Sequence, residues 1–118
     1  MKKILVISKI KIGSQSILYG FDDEDRLFRK AMSKRLCDHL NRIFKDKELS
    51  YEAYRDTTYH RDVSNLMDRY DLLLLSPYIV DRIDFKQLED ESYYILSIDE
   101  FEKGKTDRIL QFLSNLTN

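Results

Sequence analysis

Four consecutive leucines, Leu72 to Leu75, set between Asp71 and Ser76-Pro77, constrain this chain more than any other stretch. The run has no polar face, so a strand built from it must be covered on both sides. Proline stops it, having no N–H to carry a ladder further. Lys3-Ile4-Leu5-Val6-Ile7 reads the same way. Two strands of this kind imply a parallel sheet between two layers rather than a sheet with one wet face.

The remaining elements fit between them. Ser8 to Gly20 reads as a loop and holds two of the three glycines. Asp22-Asp23-Glu24-Asp25 looks like a solvated helix start, with acids opposing the positive end of the helix dipole and Asp22 or Asp23 able to cap. Phe28, Met32, Leu36, Leu40, Ile43 and Phe44 recur at spacings of three and four and predict an amphipathic helix over about residues 24–46. Residues 49–54 alternate and predict a half-buried edge strand. Asp62 can cap a short helix running through about Tyr70, and residues 84–90 predict another. Residues 93–98 form the fourth strand, and a last helix starts near Thr106. The order β-α-β-α-β-α-β-α predicts an α/β fold: three layers, with a four-stranded parallel sheet and helices on both faces. Ligands of such sheets sit beyond the carboxyl ends of the strands, which directs attention to the loops after residues 7, 76 and 98.

At 118 residues with 42% hydrophobic content, the chain is expected to be a single domain, 1–118, with a core that needs no staples. Its 20 basic and 21 acidic residues leave a formal net charge of -1, which argues against direct nucleic-acid binding. One cysteine excludes a disulfide framework, and two histidines, His39 and His60, give no zinc site. No cofactor is expected. The apolar stretch after Met1-Lys2-Lys3 is too short for a secretory signal core or a membrane span, so a cytoplasmic protein without membrane insertion is expected.

Some familiar motifs fail on spacing. Gly104-Lys105-Thr106 stands before a helix, but a phosphate-binding P-loop needs a glycine five positions earlier, where Asp99 stands. Thr106 reads instead as a helix N-cap. A receiver domain needs an aspartate ending the third strand, and Asp71 begins it. A flavin binder needs its hydroxyls sooner after the first strand than Ser14 and Ser16. Tyr51, Tyr54 and Tyr59 with His60 read as an aromatic edge strand packing on its own helix, or as an interface.

Three stretches in order carry a further signal: Met1 to Ile7, Met67 to Pro77, and Ile98-Asp99 followed by Gly104-Lys105 and an apolar terminal helix. In these the chain resembles the IIB components of the lactose and cellobiose class of sugar phosphotransferase systems. The match covers roughly the first ten and last fifty residues, and its order and spacing are more specific than any one motif. The resemblance implies a small four-stranded parallel sheet. It also implies an activity, in which a cysteine ending the first strand takes a phosphoryl group from a IIA partner and passes it to a sugar at a membrane IIC partner. A loop after that cysteine would present N–H groups to the phosphate.

Aligned on the strands, Ser8 falls on the cysteine position. The loop of Lys9, Ile10, Lys11, Ile12, Gly13, Ser14, Gln15 and Ser16 keeps a Gly-Ser-x-Ser run, and Ser8, Lys9, Gly13, Ser14, Gln15 and Ser16 are the candidate anion-binding residues. A thiolate is a strong nucleophile and, as thiophosphate, a good leaving group. A serine hydroxyl needs a neighbouring base, and none is close in sequence. Cys37 would lie mid-helix on the apolar stripe, as a small buried hydrophobe. The leading expectation is therefore a degenerate IIB-like protein, a partner-binding or regulatory module linked to sugar transport, with a IIA-like or IIC-like component or a regulator as partner. Two alternatives stand beside it. One is an active carrier using Ser8, Ser14, Ser16, His60 or Cys37, and the other is an accessory protein of this fold with no link to sugar.

Overall fold

The computed structural model describes residues 1–13, 17–22 and 31–116. Its centre is a four-stranded, all-parallel sheet. The strands are β1 (Lys2–Ile7), β4 (Tyr51–Arg55), β5 (Leu72–Leu75) and β6 (Tyr93–Ile95), in the spatial order β4-β1-β5-β6. A separate antiparallel hairpin, β2 (Lys9–Ile12) with β3 (Ile17–Gly20), follows β1. The helices are α1 (Met32–Asp46), α2 (Ile98–Lys103) and α3 (Asp107–Leu116).

The leucine run behaves as its composition requires. Leu72 and Leu74 face one layer and Leu73 and Leu75 the other, all four buried. Ile4 and Val6 of β1 join the first face, Leu5 and Ile7 the second. On the first face lie Met32, Leu36, Cys37, Leu40 and Phe44 of α1, Phe101 of α2, and Ile109 and Leu113 of α3. The predicted stripe on α1 is thus its core-facing side, except that Ile43 is only half-buried and Phe28 lies outside the described residues.

The second layer is helical but not α-helical. Residues 62–70 and 84–90, predicted as short helices, form single 3₁₀ turns at Val63–Leu66 and Phe85–Gln87, with two more at Val80–Arg82 and Asp90–Ser92. Asp62 does cap its turn, accepting from Ser64 N, and Asp84 does the same for Lys86 N. An aspartate that bonds the backbone two residues on favours a tight turn at the start of each segment. Val63, Leu66, Ile79 and Leu88 still bury the second face of the sheet.

The predicted loop from Ser8 to Gly20 is a correction. β1 passes through Ser8 directly into β2. Lys9-Ile10-Lys11-Ile12 alternates with the period of a strand, and Ile10 drops into the second-face core while Ile12 and Tyr19 pack against it. Lys11 N donates to the His60 carbonyl at 3.2 Å, which ties the hairpin to the connection after β4.

The fourth strand is shorter than expected. Ser97, placed in it from sequence, instead caps α2 in a reciprocal capping box with Glu100. Gly104 closes α2 in the left-handed region at φ 71°, where a Cβ would meet His39 Nδ1 at 2.6 Å. Gly104-Lys105-Thr106 is the punctuation between two helices.

The edge strand β4 has an unusual neighbour. Hydrogen bonds from Lys2 N to the Ser50 carbonyl and from Asp56 N to the Val6 carbonyl show that even-numbered residues of this strand face β1. Ala53 therefore turns its backbone outward. Both of its polar groups are met by one side chain of α1, with Asn41 Nδ2 donating to the Ala53 carbonyl at 3.0 Å and Ala53 N donating to Asn41 Oδ1 at 2.8 Å.

Candidate functional site

The carboxyl ends of the parallel strands bring together residues that the sequence keeps far apart. Ser8 follows β1, Asp56 follows β4 and Ser76 follows β5, and all three are buried. The amino-terminal turn of α1 meets the same end of the sheet through Arg55, the last residue of β4, whose Nε donates to Ser33 Oγ at 2.7 Å.

Ser8 is 1% exposed, and among the described residues its hydroxyl has no hydrogen-bond partner. The hairpin closes over it. Gly20, at φ 128°, lies so near that a Cβ there would stand 2.3 Å from the Ser8 carbonyl oxygen and 2.8 Å from Ile79 Cγ2. Only glycine accommodates both that backbone conformation and that approach. Ser8 is therefore roofed, where a phosphoryl acceptor would have to face its donor.

Two residues beyond Gly20, Asp22 turns inward. Its side chain is fully buried. Oδ1 accepts from Ser33 N at 3.2 Å, Oδ2 accepts from the Ser33 hydroxyl, and the Arg55 guanidinium stands 3.6 Å from Oδ2. The aspartate read from sequence as part of a solvated helix start is thus a buried anion. It does cap α1, whose own N-cap residue, Ala31, supplies no side-chain bond. Asp23, Glu24 and Asp25 lie outside the described residues.

Gly13 stands at the far end of β2, on the order of 15 Å along the strand from Ser8. Lys9 is half-buried at the start of β2, and Ser14, Gln15 and Ser16 lie outside the described residues.

A second polar cluster follows β4. Asp56, 4% exposed, accepts through Oδ1 from Thr58 N at 3.2 Å and Thr58 Oγ1 at 3.1 Å. Thr58 Oγ1 is 2.8 Å from His60 Nε2. These residues line a cavity of about 150 Å³ with Arg69 and Tyr70. His60, a candidate acceptor from sequence, faces a hydroxyl there and lies 3.8 Å from a carboxylate oxygen of Asp56. Asp22, Ser33, Arg55 and Asp56 were missed as site residues. The available signal was Arg55-Asp56, a charged pair ending an alternating strand, where side chains of an α/β sheet meet ligands.

Cys37 packs on the first-face core. Burial, with a smaller push from Asp38, raises its thiol from 9.0 to about 12. Such a thiol is a poor nucleophile at neutral pH. The native protein should resist alkylation at neutral pH and react once unfolded in urea, as mass spectrometry would read. A raised pKa means the folded state holds the proton more tightly. The stability this contributes is complete below 9.0 and declines as pH climbs toward 12.

Among the described residues, no group of three or more His, Cys, Asp or Glu could hold a metal ion, and no helix is long and apolar enough to cross a membrane. No family model, curated protein or solved structure matches this chain.

Proposed function

We propose that this protein is a IIB-like module of the lactose and cellobiose phosphotransferase class that has lost phosphocysteine chemistry and acts by binding a protein partner, a IIA-like or IIC-like transport component or a regulator. The observation that carries the reading is Ser8. It occupies the position at the end of β1 that the resemblance assigns to the nucleophile, and it lies buried beneath the β2–β3 hairpin. The all-parallel order β4-β1-β5-β6 is compatible with the fold the resemblance implies.

Chemistry points the same way. A hydroxyl becomes a nucleophile only beside a base, and Ser8 Oγ contacts none among the described residues. A phosphate ester formed there would be a weak donor to a sugar hydroxyl. What remains of a carrier without its transfer step is recognition of the proteins that flank it.

The test is an intact-mass measurement after incubation with phosphoenolpyruvate, the general phosphotransferase proteins and a set of IIA components, alongside binding of each IIA to the immobilised chain. The expected result is no phosphoryl group added, with saturable binding of at least one transport component. A phosphoryl group mapped to Ser8 would restore the carrier reading. Failure to bind any IIA component, IIC component or IIB-containing regulator would remove the link to sugar transport.

A further inference from the structure

We propose that a groove at the amino-terminal margin of the sheet binds a small amphiphilic carboxylate, an alkyl chain or aromatic ring ending in an anionic head. The groove lies between the turn that follows α1, the start of β1 and α3. Its volume of about 600 Å³ falls inside the range of roughly 300–1,000 Å³ usual for small-molecule sites. Its floor is apolar. Leu113 is buried, Leu110 and Tyr51 are half-buried, and the Tyr51 ring leans on Phe44 with centroids 5.4 Å apart. Leu49 and Met1 are large apolar residues left exposed beside it. Exposed apolar surface gathered around a hollow, rather than scattered singly, is what a ligand covers.

Charge selects the head group. Lys2 and Lys47 line the groove, and among the described residues neither ammonium has a carboxylate within ion-pair distance. Elsewhere Lys34 pairs with Asp38, and Lys103 and Lys105 share Asp99. Glu48 is the one acid lining the groove, so two cations against one anion leave a positive excess at the rim. The carbonyls of Ile43, Phe44 and Lys45 at the end of α1 are already taken by N–H groups of the turn. An apolar floor beside unspent ammonium groups matches a ligand with an apolar body and a carboxylate.

The backbone holds the groove in shape. Lys47 N, Glu48 N and Leu49 N donate to the carbonyls of Ile43, Lys45 and Phe44 at 2.9, 3.2 and 2.8 Å, and Lys2 N donates to the Ser50 carbonyl at 2.9 Å. Glu48 sits at φ 54°, a left-handed position after a helix that favours glycine. Stability alone does not account for this turn, since glycine at 48 and a polar residue at 49 would serve the fold better. A preformed hollow spares its ligand the cost of ordering it. The groove lies at the opposite margin of the sheet from Ser8, so the inference stands apart from the phosphotransferase reading.

An NMR titration of the isotope-labelled full chain with sodium octanoate, at constant ionic strength, tests this. The amides of Glu48, Leu49, Ser50, Leu110 and Ser114 should move saturably while those of β5 stay in place. Sodium acetate, a head without a body, and octyltrimethylammonium, a body with the wrong charge, should bind much more weakly. Lys2→Gln together with Lys47→Gln should weaken octanoate binding about fivefold, and Glu48→Gln should tighten it about twofold. Leu49→Asp should abolish it. All four positions are exposed, and unchanged β5 resonances would verify that each variant folds. Movement that stays linear in octanoate throughout the millimolar range would overturn the proposal. So would equal affinity for the cationic amphiphile, or indifference to the charge variants. Movement of the same amides on concentrating the protein alone, with a rising mass in sedimentation, would assign the groove to a second copy and overturn it too.

Discussion

Replacing Phe101 by alanine is expected to destabilise the fold by about 4 kcal/mol, within the range for large aromatic-to-alanine changes in a packed core. Phe101 is completely buried at the centre of the first-face core and is among the largest wholly buried side chains described. Its ring meets Tyr78 edge-on at 6.1 Å, and Tyr78 in turn meets Phe21 at 5.7 Å. The loss therefore spreads along an aromatic row from α2 to the exit of the hairpin. α2 is only six residues long and cannot hold itself in place by helix propensity. Urea unfolding should show a lower midpoint at unchanged slope. A Phe101→Leu variant should recover most of the loss, since it refills much of the cavity. A loss below about 1 kcal/mol for the alanine would mean that the core collapses around the gap.

Gly20→Ala is expected to cost about 3 kcal/mol or more, although the residue is exposed and the change adds a single methyl group. Two effects add. At φ 128° an L-residue is strained, and the new Cβ would be 2.3 Å from the Ser8 carbonyl oxygen, a backbone atom held by the sheet. The chain can relieve this only by lifting the hairpin, which exposes Ser8 and draws Asp22 away from Ser33. Calorimetry would measure the cost. Hydrogen exchange would show its direction, with faster exchange at Ser33 N and along β2 and little change in β5. Equal acceleration throughout would mean that the hairpin is not a separable roof.

The parts of the fold legible from sequence are those where burial leaves a periodic trace. β1 and β5 are enclosed on both faces and so lack polar alternation, and α1 repeats its apolar residues at helical spacing from Met32 to Phe44. The hairpin left an equally clear trace in Lys9-Ile10-Lys11-Ile12. The adjacent Gly-Ser-x-Ser run points instead to an anion-binding loop, and a loop and a short hairpin share their turn residues. The 3₁₀ turns look like helices in the sequence because a capping aspartate starts either. The candidate site was legible in place but not in content. Ser8 at the end of β1 follows from the strand alone, whereas its burial depends on a glycine twelve positions later. Asp22, Ser33 and Arg55 meet only through tertiary folding, and no period in the chain links them.

The pairing of Asn41 with Ala53 has a consequence for how this molecule can meet others. A side-chain carboxamide presents one donor and one acceptor, the same pair that the next strand of a sheet would offer. α1 thus imitates the missing neighbour of β4 at the point where an incoming strand would have to register. Growth of the sheet by a strand from another molecule is blocked on that side. It is left to the opposite margin, where β6 is three residues long and Ile95 is exposed. Any partner that docks by strand addition must approach from β6, next to the capping box that starts α2.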